Sequence, residues 1–503
     1  MAKRDGTTEG LISGVHEMNA KASPTPGHLD LLNIETFIWT PHLETAGEVC
    51  LRSAREGSKV GFAYLGKNNP DDALSWKLRL MGAKKRTKVR QFAKLLERQG
   101  VKIIRPPSLK PSILDDIAAV SQRSFNNMAE LEEFTYKDAA IGLGTASSLI
   151  SKTKDSNPCL SDNTKLVATY IREALVVFEC VISLIEQYRP RTVLTFNGRF
   201  ALSLPIVEAA RAKGIEVLFH ERGADSTRFY LHPLQPHDFS YARSRVVQVW
   251  DKGGSEKANV GHTFFARRRQ GDGIGWTSFT GRQLQGLAPE KSQRRRIVYF
   301  TSSDDEYASV GEFRTHFLFT SQRDAIKWLI DYVRGRPETE LFIRVHPHLM
   351  QKGAGERSWW EGLHGDNTTV IKADEPIDSY ALAESADVVV SYGSTIGIEA
   401  TYWGTPSVLL GDAAYRDANC VYEPASLHEL KATLSEDNLS AHSPDNCLPF
   451  GYYSLTHGEK FIYYKPHTLF SGSFMGVELS TLSVVGRGLM RLLRALRKPH
   501  RPT

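Results

Sequence analysis

Short apolar runs, each closed by small and polar residues, recur along the chain and alternate with segments whose apolar positions fall at helical spacing. The clearest run is Val388-Val389-Val390, the pattern of a strand buried on both faces of a parallel sheet. Ser391, Gly393, Ser394 and Thr395 follow it, and Ile396 to Tyr402 reads as a helix. Gly404-Thr405-Pro406 stops that helix, and Val408 to Leu410 begins another strand. Earlier in the chain the same rhythm predicts strands over Glu35–Trp39, Lys59–Leu65, Val101–Ile104, Arg191–Phe196 and Glu216–Phe219. Helices are predicted over Leu43–Glu56, Asp71–Arg98 and Leu202–Lys213, with mainly helix from Ser112 to Gln187. A second series opens with the strand Arg296–Phe300 and continues with a helix over Gln322–Arg334, the strand Leu341–Val345 and a helix over Ile377–Glu384. Between the series, from about His237 to Gln293, periodicity fades and basic clusters appear. Two alternating series predict an α/β fold of two Rossmann-like, doubly wound domains facing across a cleft.

A chain of 503 residues exceeds what one hydrophobic core usually organises. The predicted division is a disordered tail (1–30), an N-terminal domain (31–240), a crossover (241–293), a C-terminal domain (294–470) and a C-terminal basic amphipathic helix (471–503). The net charge of +6 is compatible with anionic ligands, and the basic residues are too dispersed to read as a nucleic-acid surface. Five widely spaced cysteines without a CxxC pair fit a reducing cytosol and argue against a disulfide framework or a zinc site, so no metal is expected. The N-terminal stretch lacks the apolar core of a signal peptide, and no apolar run approaches membrane-spanning length, which predicts a cytoplasmic protein. Thr481 to Lys498 interleaves leucines with arginines as an amphipathic basic helix. Such a helix either touches an anionic membrane surface or packs on the domains.

Candidate chemistry falls at strand ends. A strand feeding through a hydroxyl-rich turn into a helix leaves free backbone N–H groups there, so Ser394 and Thr395 suit a phosphate. Glu399, one turn on, suits a ribose or sugar diol. The alternative is that Thr395 only caps the helix and Glu399 is a solvated charge. Arg344 and His346 share a strand face, and beside Ser394 and Thr395 they would complete a phosphate pocket. In the first half, His42 and Glu44 sit in the first strand–helix turn as candidate general bases or as ordinary helix-start residues. Asn197, Arg199, Glu221 and Arg222 end two successive strands, either along a cleft rim or as salt-bridged loop residues. The aromatic stretches near Tyr452 and Tyr463 either stack on a ligand or pack between domains.

Arg344-Val-His-Pro347, Ala386-Asp-Val-Val-Val-Ser-Tyr-Gly-Ser-Thr395, Gly397-Ile-Glu-Ala400 and Gly404-Thr-Pro406 together resemble the donor half of GT-B glycosyltransferases. The likeness is greatest to the bacterial capsule polysaccharide biosynthesis family, which includes Kdo transferases. Asn197-Gly-Arg199 and His220-Glu-Arg-Gly223 are similar to motifs of the acceptor half. The resemblance extends over about 295–412, is patchy over 35–225, and is absent from the tail and crossover.

It implies a nucleotide-sugar donor, a CMP-linked sugar among the candidates, with no further cofactor. His346, Ser394 and Thr395 would bind the donor phosphate, with Arg344 beside them, and Glu399 the ribose or sugar. Asn197, Arg199 and Arg222 would bind the acceptor, and His42, Glu44 or Glu221 would act as base. The implied acceptor is a surface or capsular polysaccharide or a glycolipid, at the cytoplasmic face of the inner membrane. The chain departs from the related sialyltransferases in lacking their acidic, glycine-terminated base motif. Nucleotide-sugar 2-epimerases, teichoic-acid-type glycerophosphotransferases and a non-catalytic scaffold of polysaccharide export are the competing readings.

Overall fold

The computed structural model describes residues 28–66, 76–272, 283–302, 318–347, 349, 358–360 and 362–479. The predicted tail up to residue 27, most of the polar loop after Phe300, and the basic terminal helix lie outside the described residues.

The first series runs β1 (Leu31–Glu35), α1 (His42–Arg55), β2 (Val60–Tyr64), α2 (Trp76–Glu97) and β3 (Lys102–Ile104). A helical excursion follows, α3 (Pro111–Val120), α4 (Met128–Glu132), α5 (Ile141–Thr153) and α6 (Thr164–Tyr188). The chain then returns through β4 (Thr192–Phe196), α7 (Leu204–Ala212), β5 (Glu216–Arg222) and β6 (Arg228–His232). Two connecting helices, α8 (Phe239–Asp251) and α9 (Lys257–Arg269), lead to the second series. It comprises β7 (Arg295–Phe300), α10 (Gln322–Val333), β8 (Thr339–Arg344), β9 (Thr368–Ile371), α11 (Ser379–Glu384), β10 (Val388–Ser391), α12 (Ile396–Tyr402) and β11 (Ser407–Leu409). After α13 (Leu427–Ser435) and α14 (Leu448–Thr456) come β12 (Glu459–Lys460), β13 (Tyr464–Thr468) and β14 (Ser471–Phe474).

The first sheet has the order β12-β6-β5-β4-β1-β2-β3 and the second β11-β10-β7-β8-β9. Counted from its own first strand, each parallel core reads 3-2-1-4-5, so the chain reverses direction between β1 and β4, and again between β7 and β10. Both are doubly wound Rossmann-like domains, and ligands of such folds sit outside the carboxyl ends of the strands at this reversal.

Period-two burial explains why both faces are covered. Leu32 and Ile34 of β1 enter one apolar cluster and Leu31 the other. In the second sheet Ile297, Tyr299, Val388 and Val390 face one cluster while Val298, Phe300 and Val389 face its opposite.

Several boundaries differ from expectation. The first strand ends at Glu35 rather than beginning there. Asn33 sits fully buried inside it because its Nδ2 donates to Glu35 Oε1 (3.1 Å) and to the Leu194 carbonyl (3.2 Å). A buried asparagine whose amide donors are paired looks like a strand break in a pattern reading. The 241–293 crossover contains α9 and most of α8, where the pattern had faded.

The tail of the predicted C-terminal domain is also placed otherwise. Residues 459–479 return to the first domain: β12 pairs antiparallel with β6, and Phe474 is buried in the first domain's core. The Glu48 carboxylate accepts the backbone N–H groups of Ile462 (2.7 Å), Tyr463 (2.7 Å) and Tyr464 (3.2 Å), which anchors the returning strand. Residues 471–474 are therefore strand β14 rather than the start of a helix. The helices that carry the chain across pack closely where Gly261 of α9 meets α14, since a Cβ there would lie 2.8 Å from the Leu448 carbonyl oxygen.

Candidate functional site

The reversal point of the second sheet holds a pocket of about 100 Å³. β8 delivers His346, whose backbone N–H donates to Thr301 Oγ1 (2.8 Å), tying the ends of β7 and β8 together. Across the pocket β10 turns through Gly393 into Ser394 and Thr395 at the start of α12. Gly397 lets α12 approach β10, since a Cβ there would come within 2.6 Å of Ser391 Oγ. Thr395 makes no side-chain capping bond, so its hydroxyl is not consumed by the helix end. His346, Ser394 and Thr395 thus line one pocket, although His346 and Ser394 lie 48 positions apart in sequence.

Two other candidates have additional duties. Glu399 is buried: its Oε1 accepts from Arg268 Nε and Nη2 (both 3.3 Å), and its Oε2 accepts from the Tyr380 hydroxyl. It is no solvated helix charge. The ion pair draws Arg268, from the connecting helix α9, into the wall of the pocket. Burial and the Glu399 charge push the Tyr380 hydroxyl pKa upward, so it remains a donor.

Arg344 also borders the pocket, but its terminal nitrogens donate to the carbonyls of Lys372 (2.5 Å), Glu375 (3.0 Å) and Ile377 (3.4 Å). Those bonds make it a strut for the loop after β9, so it borders the predicted phosphate pocket with its terminal nitrogens already engaged. Only its buried Nε lacks a partner among the described residues.

The reversal point of the first sheet is built differently. His220 Nε2 and Glu35 Oε1 form a buried pair at 2.7 Å that spans β4. His42 packs its ring on Phe196, centroids 3.9 Å apart, with the His220 ring at 6.5 Å. Burial, reinforced by His220, Arg222 and Lys88, holds the His42 pKa well below that of an ordinary histidine. Glu44 is buried against Lys88 Nζ (2.8 Å) and accepts from Thr40 Oγ1 (3.1 Å). Its carboxylate is thus an ion-pair partner of Lys88 and not the free group expected of a general base.

Asn197 and Glu221 are brought together, Asn197 Nδ2 donating to Glu221 Oε1 at 2.6 Å. Burial raises the Glu221 pKa, while the Asn197 bond and then the His220 and Arg222 charges act in the opposite direction. Arg222 Nη2 donates to the Thr40 carbonyl (3.2 Å), and Arg199 Nη1 lies 3.2 Å from His237 Nε2. The four rim residues therefore divide into an acid–amide pair and two arginines tied to different loops, because neighbouring residues of β5 point to opposite faces.

Sequence reasoning did not single out Glu35, Lys88 or the His220 imidazole. His220 and Glu35 are 185 positions apart, and nothing in a basic helix marks Lys88 as buried. The available signals were the placement of Glu35 and His220 next to apolar runs. Among the described residues no group of three His, Cys, Asp or Glu side chains is placed to hold a metal ion, and no helix is long and apolar enough to cross a membrane.

No family model and no curated protein matches this chain. Among solved structures it is similar to KpsC of Thermosulfurimonas dismutans, a beta Kdo 2,4 transferase, at 14% identity and a TM-score of 0.36 over 52% of this chain and 79% of that one. A beta Kdo 2,7 transferase from the same organism aligns at 14% identity and a TM-score of 0.34 over 64% of this chain and 90% of its own. A UDP-GlcNAc 2-epimerase from Neisseria meningitidis, bound to UDP-GlcNAc, aligns at 11% identity and a TM-score of 0.20 over 92% and 99%. The fold class rests on the chain's own strand order, which is that of two doubly wound Rossmann-like α/β domains.

Proposed function

We propose that the chain is a glycosyltransferase that moves a sugar from a nucleotide-sugar donor to a polysaccharide or glycolipid acceptor. The observation that carries this reading is the presence of two unlike polar constellations at the two reversal points. One is an open pocket lined by His346, Arg268, Ser394 and Thr395, suited to an anion. The other is a half-buried carboxylate, Glu221, held by Asn197, suited to proton transfer.

In this reading the donor phosphate lies against His346, Ser394 and Thr395, with Glu399 fixing Arg268 and one lone pair of its Oε2 left for a sugar hydroxyl. The acceptor oxygen attacks the anomeric carbon as the bond from that carbon to the phosphate oxygen breaks. The acceptor proton passes to Glu221, and the bonding electron pair leaves on the nucleotide, whose charge the donor pocket stabilises. His42, kept neutral by its surroundings, borders the same site and is the alternative base.

The test is a thermal-shift series with CMP, UDP, GDP, CDP and ADP on the wild type and His346→Ala, followed by mass spectrometry of products from the matching nucleotide sugar. A ligand confined to the folded state raises the melting temperature. Stabilisation of the wild type alone by one nucleotide, with sugar transferred to a saccharide, supports the proposal. Interconversion of the free nucleotide sugar would assign an epimerase instead. Absence of any nucleotide response would remove the donor pocket from the argument.

A further inference from the structure

The turn between β1 and α1 presents a feature that catalysis as proposed does not use. Trp39 is 52% exposed among the described residues, although an indole is among the costliest side chains to leave in water. Its position is not the result of a loose loop. Lys88 is buried and its ammonium donates to the Ile38 carbonyl (2.9 Å) and to Thr40 Oγ1 (2.7 Å) while pairing with Glu44. On the far side Arg222 holds the Thr40 carbonyl, and the Leu43 N–H donates to the Trp39 carbonyl at 3.1 Å. Burying an ion pair to fix a turn is a poor route to stability and a better one to a defined geometry.

The ring itself is backed by aromatic side chains. Phe37 stacks on Trp39 with centroids 4.5 Å apart, and Phe196 meets it edge-on at 6.1 Å. Phe37 is braced in turn by the edges of Phe196 (5.7 Å) and Phe200 (6.0 Å). One side of the indole is therefore occupied and fixed. The residue after Phe196 is Asn197, the partner of Glu221, and Phe196 also carries the His42 ring, so the indole stands next to the groups that would handle the acceptor proton.

We infer that Trp39 is a preformed stacking platform for a pyranose ring of the acceptor, which makes a saccharide rather than a bare lipid alcohol the group bound there. The inference rests on the reading of the first domain as the acceptor side. An indole face takes the C–H edge of a sugar ring, while the hydroxyl edge needs donors and acceptors close by, and Asn197, Glu221 and Arg199 supply them at the same strand ends. An aliphatic chain would instead be served by a wider, wholly apolar patch; here the rings behind the indole, Phe37 and Phe200, are half-buried, and polar strand ends border the exposed one.

The experiment uses the full chain labelled with 5-fluorotryptophan, the Trp39 fluorine signal being the one missing from Trp39→Phe. Lactose, maltotriose, chitobiose and dodecylphosphocholine micelles are titrated separately, with the nucleotide thermal-shift series run beside them on both proteins. The expected result is a saturable shift of the Trp39 signal with at least one saccharide. Trp39→Ala is then expected to weaken that saccharide as acceptor about tenfold in KM with little change in kcat, and Trp39→Phe to recover most of the loss. No shift with any of the three saccharides, or a shift with micelles only, overturns the platform. A nucleotide response retained in that case leaves the transferase reading standing. A saccharide shift without any nucleotide response keeps the platform and removes the transferase.

Discussion

The parallel cores of the two sheets share one strand order, yet their carboxyl ends are built on different electrostatic terms. At the second sheet, His346, Ser394 and Thr395 open onto a pocket whose wall includes Arg268, itself a third exposed. At the first sheet, Lys88 and Glu44 are buried against each other, Glu35 and His220 form a buried hydrogen-bonded pair, burial holds the His42 pKa well down, and Glu221 and Arg222 are half-buried. The same parallel strand order thus carries a pocket lined by hydroxyls and cationic side chains in one domain and buried, paired polar groups in the other. Fold topology places a site, and the side chains at the strand ends decide its chemistry.

The largest test of that contrast is His346→Ala. Turnover is expected to fall by about 10²–10³-fold, in the range for loss of one charge-stabilising donor, with the circular dichroism spectrum unchanged. Equal loss of nucleotide stabilisation in Glu221→Gln would erase the division of labour between the domains.

Next in size is the buried pair of the first domain. Lys88→Met strands the Glu44 carboxylate and is expected to cost about 3–5 kcal/mol in urea unfolding, whereas Lys88→Met with Glu44→Leu should recover most of it. Glu399→Ala, whose partner Arg268 still reaches solvent, is expected to cost less than Lys88→Met. The reverse order would contradict the comparison between the two domains.

Acid sensitivity follows from the same side of the molecule. Burial lowers the pKa of His232 and His237 to about 3 and of His457 to about 4. A histidine with a depressed folded pKa binds protons more readily when unfolded. Stability is therefore complete above the ordinary value of about 6.5 and declines as pH falls towards the folded values. The buried His232 alone contributes a slope of up to about 1.4 kcal/mol per pH unit, which His232→Phe should flatten in urea titrations between pH 7 and 5.

The smallest effect expected is a displaced pH limb. With Glu221 as base, the acidic limb of kcat lies above the ordinary carboxylate range, because burial raises that group. Asn197→Ala removes a bond favouring the ionised form and should move the limb to still higher pH. A pH–rate profile of the two proteins checks the direction, and an unmoved limb would transfer the base role away from Glu221.

Much of the architecture was legible along the chain. The apolar runs at 297–300, 341–343 and 388–390 need both faces covered, and their spacing with helical segments leaves few options besides a parallel sheet. The turn at Ser394 and Thr395 and the histidine at 346 could be proposed as one site because both follow strands of one such series. Arg344 was legible as a strand-end residue, but its commitment to three loop carbonyls was not, since those carbonyls belong to residues 372–377.

What the sequence by itself determined is the local part: where most strands and helices of the two series form, which of their faces are apolar, and which polar residues end those strands. These depend on periodicity and on turn residues that act over a few positions. The tertiary structure decided which strand ends meet. It placed Glu35 on His220 and Glu44 on Lys88, drew Arg268 from the connecting helix to Glu399, and returned residues 459–479 to the first domain through Glu48. Each of these pairs joins distant segments, and a buried charge leaves no periodic trace. Its partner is chosen by desolvation, which acts only once both groups have been removed from water.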